Sequence, residues 1–150
     1  MATRSRIGYV AEDGKVHSIY CHWNGYLSHN GEILLDNYTD IEKVKALVAL
    51  GSISSLGKEV EPKPEGDGVT KHTFDESQDG VTVAYCRDRG ENFEFYNQPR
   101  IDESVDAFIN SDVEEWGYLF LPEGKWLVVN GRAKRRTAEM LTQELIEKHG

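Results

Sequence analysis

Polar and apolar residues alternate from Thr3 to Trp23, and the alternation is interrupted once, at Asp13-Gly14. Period-two patterning on both sides of an Asp-Gly pair predicts a β-hairpin, because both central residues of a type I′ turn need positive φ. A two-residue turn at that pair sets Ala11 opposite Val16, Tyr9 opposite Ser18, Ile7 opposite Tyr20 and Ser5 opposite His22. The apolar bulk of that set marks it as the core face. The other face then pairs Val10 with His17, Gly8 with Ile19, Arg6 with Cys21 and Arg4 with Trp23.

Asn24-Gly25 breaks the second strand. Asn30 is placed to cap a short helix over 31–38. Thr39-Asp40-Ile41-Glu42 has the spacing of a capping box. A 3.6-residue stripe of Ile41, Val44, Leu47, Val48 and Leu50 follows, and Gly51 stops it. The segment 57–80 is polar and rich in Gly and Pro. It reads as a long, exposed, mobile loop with one short strand at 69–74. Strands are predicted over 81–86 and 93–96, and a short helix over 103–109. A second hairpin, 116–121 with 125–129, turns at Pro122-Glu123-Gly124. Pairing Leu121 with Trp126 makes both of its faces apolar, as in a strand pair covered on two sides. A last helix is expected over 137–148, with Met140, Leu141, Leu145 and Ile146 facing inward. This order predicts an α+β fold: an antiparallel sheet built from hairpins, with helices packed on at least one face.

The chain of 150 residues corresponds to one domain and is long enough to bury a core without a staple. Its composition, 39% hydrophobic and 29% charged, is globular. The net charge of −9 argues against non-specific nucleic-acid binding and against an anionic membrane surface. No apolar run reaches membrane-spanning length, and no signal peptide is read in the first residues, so the two cysteines, Cys21 and Cys86, are expected as reduced thiols in a cytosolic protein. Charge is segregated. Positions 101–124 hold seven acids and no base, and positions 131–136 hold four bases and no acid.

The strongest candidate for chemistry is the outward face of the first hairpin with the turn after it: Arg4, Arg6, His17, His22, Trp23, Asn24, Tyr26 and His29. Two guanidinium groups beside an indole suit a planar anion, which they grip with paired donors and a stacking surface. The bland reading is a cross-strand Arg4–Trp23 pair with no ligand. Arg87 and Arg89, after a predicted strand, are a second anion candidate; their charges equally suit pairing within the Arg87–Glu91 turn. Arg132, Lys134, Arg135 and Arg136 form a basic run suited to a partner, or else an exposed linker. Cys21, His22 and His29 do not make a zinc set, since neighbours on a strand point to opposite faces and no further ligand pair is present. Paired carboxylates such as Asp102-Glu103 and Glu114-Glu115 read as solvent-facing. No nucleophile elbow, phosphate-binding glycine loop or metalloprotease motif occurs, and no cofactor is expected.

Three stretches carry a resemblance. They are 3–8 (TRSRIG) with 18–26 (SIYCHWNGY), 44–57 ending LGSISSLG, and 85–91 (YCRDRGE). The chain resembles a family of small proteins that recur in tailed-bacteriophage genomes, over about half its length. The family pattern is expected to hold Asp where this chain has Asn24, so an acid or metal role of that carboxylate does not carry over. The resemblance implies a phage-encoded protein acting in the cytosol of a bacterial host. It implies no catalytic residues. The expected function is a non-enzymatic accessory protein that binds and inhibits a host factor, for example a defence component. The alternatives are a protein that sequesters a nucleotide or other small anion, and a small enzyme acting on phosphate-containing substrates. A homo-oligomer formed through a hairpin edge is a further expectation.

Overall fold

Two hairpins lie side by side at the centre of the fold and are joined through a parallel seam. The computed structural model describes residues 3–93 and 97–149, with the side chain of His149 excluded. Strand β1 (Ser5–Val10) pairs antiparallel with β2 (Val16–Cys21), and β6 (Trp116–Phe120) pairs antiparallel with β7 (Trp126–Asn130). β1 runs parallel to β6, with Ser5 opposite Trp116 and Tyr9 opposite Phe120. β3 (Ile53–Ser55) joins β2 in parallel at Cys21, and β4 (Val83–Ala84) continues that edge. β5 (Arg100–Asp102) pairs with the first half of β2, and β8 (Ala138–Met140) closes the far edge on β7. Among the described residues the sheet has eight strands, in the order β4-β3-β2-β1-β6-β7-β8 with β5 also on β2. The fold is α+β and its sheet is mixed, not antiparallel throughout. The two central hairpins are separated by helices and loops long enough to return the chain in the same direction.

Both hairpins turn through three residues, one more than the two-residue turn expected at Asp13-Gly14. Ala11 N–H donates to Lys15 O at 2.8 Å and Gly14 N–H to Ala11 O at 2.9 Å; Leu121 and Lys125, and Gly124 and Leu121, repeat these bonds at 2.8 and 2.9 Å. Gly14 and Gly124 both sit at positive φ, +83° and +85°. A type I turn followed by a left-handed glycine inserts one residue beyond the two-residue loop. The register therefore moves by one from expectation: Val10 faces Val16, Ile7 faces Ile19, and Phe120 faces Trp126.

That shift changes which β2 side chains meet the core. Ile7, Ile19 and Cys21 share a face with Tyr118, Phe120, Trp126 and Val128. The same buried cluster takes Leu34 of α1 (Glu32–Asn37), Val44, Leu47 and Val48 of α2 (Ile41–Ala49), and Ile146 of α5 (Gln143–His149). On the other face Val16, Leu119 and Val129 form a second cluster with Val113 and with Phe108 of α4 (Val105–Asn110). Each of these fully buried aliphatic or aromatic side chains is worth roughly 1.5–3 kcal/mol of transfer free energy. Buried polar tips find partners: Tyr38 Oη donates to Gly57 O at 2.7 Å, and Trp126 Nε1 donates to Tyr38 O at 2.8 Å.

Helix starts follow local chemistry. Asp40, rather than Thr39, caps α2 by accepting from Glu42 N–H, and Ser104 caps α4 by accepting from Ala107 N–H. Asn30 does not cap α1; it lies buried inside a π-helical turn, Leu27–Gly31, that runs into that helix. The strand expected over 81–86 is cut to Val83–Ala84, because Tyr85–Arg89 winds into α3 and ends at left-handed Gly90. The strand expected over 69–74 is reduced to one bridge, Pro64 with Thr70, and that over 93–96 lies largely outside the described residues. The expected last helix is divided. Ala138–Met140 instead completes the β7 edge, and Met140 is exposed. No helix of the described residues is long and apolar enough to cross a membrane.

Candidate functional site

One end of the sheet gathers the start of β1, the end of β2 and the start of β6. Ser5 stands opposite both Cys21 and Trp116, and Glu115 N–H donates to Arg4 O at 3.2 Å. The chain leaving β2 turns there through His22, Trp23, Asn24, Gly25 and Tyr26. Its backbone is held from several sides. Trp23 N–H donates to Ser54 O at 2.9 Å, Gly25 N–H to Thr3 O at 2.8 Å, and Asn30 N–H to Asn24 O at 3.2 Å. Tyr118 Oη, fully buried, donates to Gly25 O at 2.6 Å. Asn24 takes φ +58°, a left-handed conformation that asparagine tolerates better than most residues. Gly25 is boxed in, since a β-carbon there would lie 2.8 Å from Ser5 Cβ and 2.9 Å from Thr3 O.

This fixed backbone carries two large aromatics outward. Trp23 is 45% exposed and Tyr26 41% exposed. His22 packs edge-on against Trp23 at 4.7 Å and shares a 2.7 Å hydrogen bond with Tyr20 Oη through Nδ1. Tyr26 meets His29 edge-on at 6.0 Å. Arg4, His22, Trp23, Asn24, Tyr26 and His29 thus sit on or beside one turn.

Asn30 orders the inside of the turn. Its amide nitrogen donates to Ser5 Oγ at 3.3 Å, Cys21 Sγ at 3.4 Å and Trp23 O at 3.5 Å. Trp23 O can only accept, which fixes the amide orientation and turns Asn30 Oδ1 toward His29 Nδ1, 2.9 Å away. His29 Nδ1 therefore carries the proton in the neutral ring, and Nε2 holds the lone pair.

The other expected anion ligands are engaged elsewhere. Arg6 lies on the face opposite Ile7, with its Nε on Ser18 Oγ and its Nη2 on Ser18 O, both at 3.1 Å. Burial, and then the nearby Arg100, bring its pKa down to about 10. His17 is directly opposite Tyr9 and stacks on it at 5.3 Å, so the register shift places it on the face away from Arg6. Arg4, Arg6 and His17 do not form a common cradle. Arg87 spans Asp88, Val60 O at 2.7 Å and Thr82 O at 2.7 Å. Arg89 pairs with Glu91 at 3.4 Å and covers the Phe74 ring at 4.8 Å. In the basic run, Arg132 pairs with Glu115 at 2.8 Å, and Arg136 Nη1 donates to Ile109 O and Ser111 O at 3.1 and 2.6 Å. Lys134 and Arg135 are exposed. The run precedes β8 instead of the helix expected over 137–148.

Sequence reasoning passed over the acidic side of this sheet end. Glu114 is half-buried and at φ +65°. Burial, then the adjacent Asp112 charge and a hydrogen bond with it, push the Glu114 carboxyl above its ordinary value. Asp112, which accepts from Glu114 N–H at 3.0 Å, is held below its own. Asp102 is also only 14% exposed and is paired with Arg100 at 3.1 Å. The expectation of solvent-facing carboxylates holds for Glu103 and fails for Asp102, Glu114 and Glu115, the last only 25% exposed. Neither thiol is poised for nucleophilic work. Burial raises Cys21 to about 11, and burial with Glu91 raises Cys86, which lies on α3 and not in a strand. Among the described residues, no group of three His, Cys, Asp or Glu is placed to hold a metal ion.

The fold and this sheet end define an α+β protein with an aromatic, histidine-bearing turn at the edge of a mixed sheet. No protein-family model, no curated protein and no solved structure matched the chain.

Proposed function

We propose that this chain is a phage-encoded, non-enzymatic accessory protein that binds and blocks a host protein, with the Trp23–Tyr26 turn as its anchor. The observation that carries this reading is the contrast between backbone and side chains at the turn. Gly25 is enclosed and Tyr118, Asn30, Ser54 and Thr3 all hold main-chain atoms, yet Trp23 and Tyr26 point to solvent. Exposed Trp and Tyr on a preformed turn lose little conformational freedom on binding, and they are the residue types that dominate interface energetics. The net charge of −9 favours encounter with a basic partner surface.

Affinity capture from a bacterial host lysate tests the reading. Wild-type protein is expected to return one host protein in stoichiometric amount, and the Trp23→Ala/Tyr26→Ala double variant is expected to lose it. Capture that survives the double variant rejects the turn as the anchor, and no stoichiometric capture by folded wild-type protein rejects the function. Nucleotide sequestration draws less support from the geometry, because Arg6 is bound to Ser18 and Arg87 to Asp88.

A further inference from the structure

Behind the turn, two adjoining cavities of about 440 and 300 Å³ share His29, Ile33 and Lys58 as walls. The larger also meets Asn24 and Asp79, and the smaller meets Glu32 and Asp36. We propose that this groove binds a primary ammonium or guanidinium group carried on an aliphatic stem, with His29 Nε2 accepting one of its N–H bonds.

The direction of the histidine is the first support. Asn30 fixes the proton on Nδ1, so Nε2 presents an acceptor, and it has no partner among the described residues. A ligand meeting it must donate. The charges are the second support. Three carboxylates, of Asp79, Glu32 and Asp36, line the two cavities against the ammonium of Lys58, and the Lys43 ammonium beside the smaller cavity is already bound to Asn37 O and Lys58 O. A cation is favoured there and an anion is not. The apolar wall is the third. Ile33, Leu56 and Val81 offer contact to methylene groups, as the stems of lysine and arginine prefer. His29 itself lies in a π-helical turn next to left-handed Asn24, and such turns recur at functional sites.

The cation has two possible sources, a free small amine or a lysine or arginine side chain of a protein partner. In the second case the inference rests on the host-protein reading above and gives that partner's chemistry. Titrations of the full chain with agmatine, with a blocked Gly-Arg-Gly tripeptide and with inorganic phosphate separate these cases. The readout is the ¹⁵N resonance of His29 Nε2. Agmatine or the tripeptide is expected to shift that resonance saturably, and phosphate is not. Tighter binding of agmatine than of the tripeptide assigns a free amine, and the reverse assigns a partner side chain.

Affinity should fall about ten-fold in Asp79→Asn and should rise in Lys58→Gln, a variant that removes the competing cation without touching the core. Saturable phosphate binding at His29, or no shift with any cation, overturns the proposal. So does unchanged or weaker agmatine binding in Lys58→Gln. Trp23→Ala is expected to leave the titration unchanged, so failure of the anchor reading and failure of the cation site are distinguishable.

Discussion

His72 Nε2 lies 3.2 Å from Asp88 Oδ2, and the two side chains are 1% and 3% exposed. Gln78 N–H donates to His72 Nδ1 at 2.9 Å, so the shared proton of the neutral ring sits on Nε2 and points to the carboxylate. Asp88 also accepts from Ala84 N–H at 2.8 Å and from Arg87 Nε at 2.9 Å. This network ties the long 57–80 segment to α3 and β4.

Asp88→Ala should free that segment. Burial by itself would raise the Asp88 pKa, but hydrogen bonds from Arg87 and Ala84 and the Arg87 charge hold it below the ordinary carboxylate value. Removing it leaves a guanidinium, an imidazole and an amide short of an acceptor, a loss of about 3 kcal/mol. Hydrogen exchange is expected to speed up over 57–88 and to stay slow in β1 and β6. The depressed pKa gives stability that is present above the ordinary value of 3.8 and lost as pH falls through the folded value. Wild-type protein should therefore open first in this segment on acidification, and Asp88→Ala should show no such acid transition there.

Glu114 gives the opposite pH dependence. Its carboxyl is raised, by burial first and by Asp112 second, so the folded state holds its proton more tightly than the unfolded chain. The associated stability is complete below the unfolded value, near 4.5, and is lost as pH rises through the folded value. Glu114→Gln keeps the size and a donor toward Asp112 but cannot ionise. Denaturant unfolding from about pH 4 to 7 should show wild type losing stability relative to the variant as pH increases. Parallel curves would mean that Glu114 carries no such coupling.

The glycines at the ends of the two hairpin loops make a matched prediction. Gly14 and Gly124 have open space where a β-carbon would project, so alanine meets no clash at either site. The cost comes only from φ of +83° and +85°. Gly14→Ala and Gly124→Ala should each lose about 1–2 kcal/mol by denaturant midpoint, with m unchanged. A loss near zero at either site would reject a left-handed residue there.

Those same loops show what could be read in the chain and what could not. Alternation found β1, β2, β6 and β7, and the 3.6-residue stripe found α2, because these elements bury one face or stripe against a large core. The one-residue register difference arises because Asp13-Gly14 and Glu123-Gly124 are each compatible with two loop lengths, and only the closing bonds from Ala11 to Lys15 and Leu121 to Lys125 choose between them. That difference moves His17 and Cys21 to the opposite faces and so displaces part of the expected site. Local signals placed the turn at Asn24-Gly25, but nothing local shows that Asn30 serves the turn and not a helix cap. Its partners Ser5 and Cys21 are 25 and 9 residues away. Ala138–Met140 has no strand pattern of its own and suggests a helix in isolation; it is a strand because it pairs along the free edge of β7.

The exposed turn also predicts a separation of stability from binding. Tyr118→Phe removes the hydroxyl that donates to Gly25 O and leaves that buried carbonyl without its 2.6 Å partner, at a cost of about 1–2 kcal/mol. The sheet pairing of Tyr118 with Ile7 and Val128 remains, so the fold should persist. Gly25→Ala is more severe, since the added carbon meets Ser5 and the main chain of Thr3 and Arg4 together. Both changes act on the backbone beneath Trp23 and Tyr26 without touching either ring. If the aromatics bind because they are held in place, both variants should weaken host-protein capture, Gly25→Ala more than Tyr118→Phe. Fluorescence of Trp23, in a chain with Trp116 and Trp126 replaced by Phe, should show faster depolarisation in the same order. Capture that is undiminished while Trp23 becomes mobile would mean that rigidity of the turn contributes nothing to recognition.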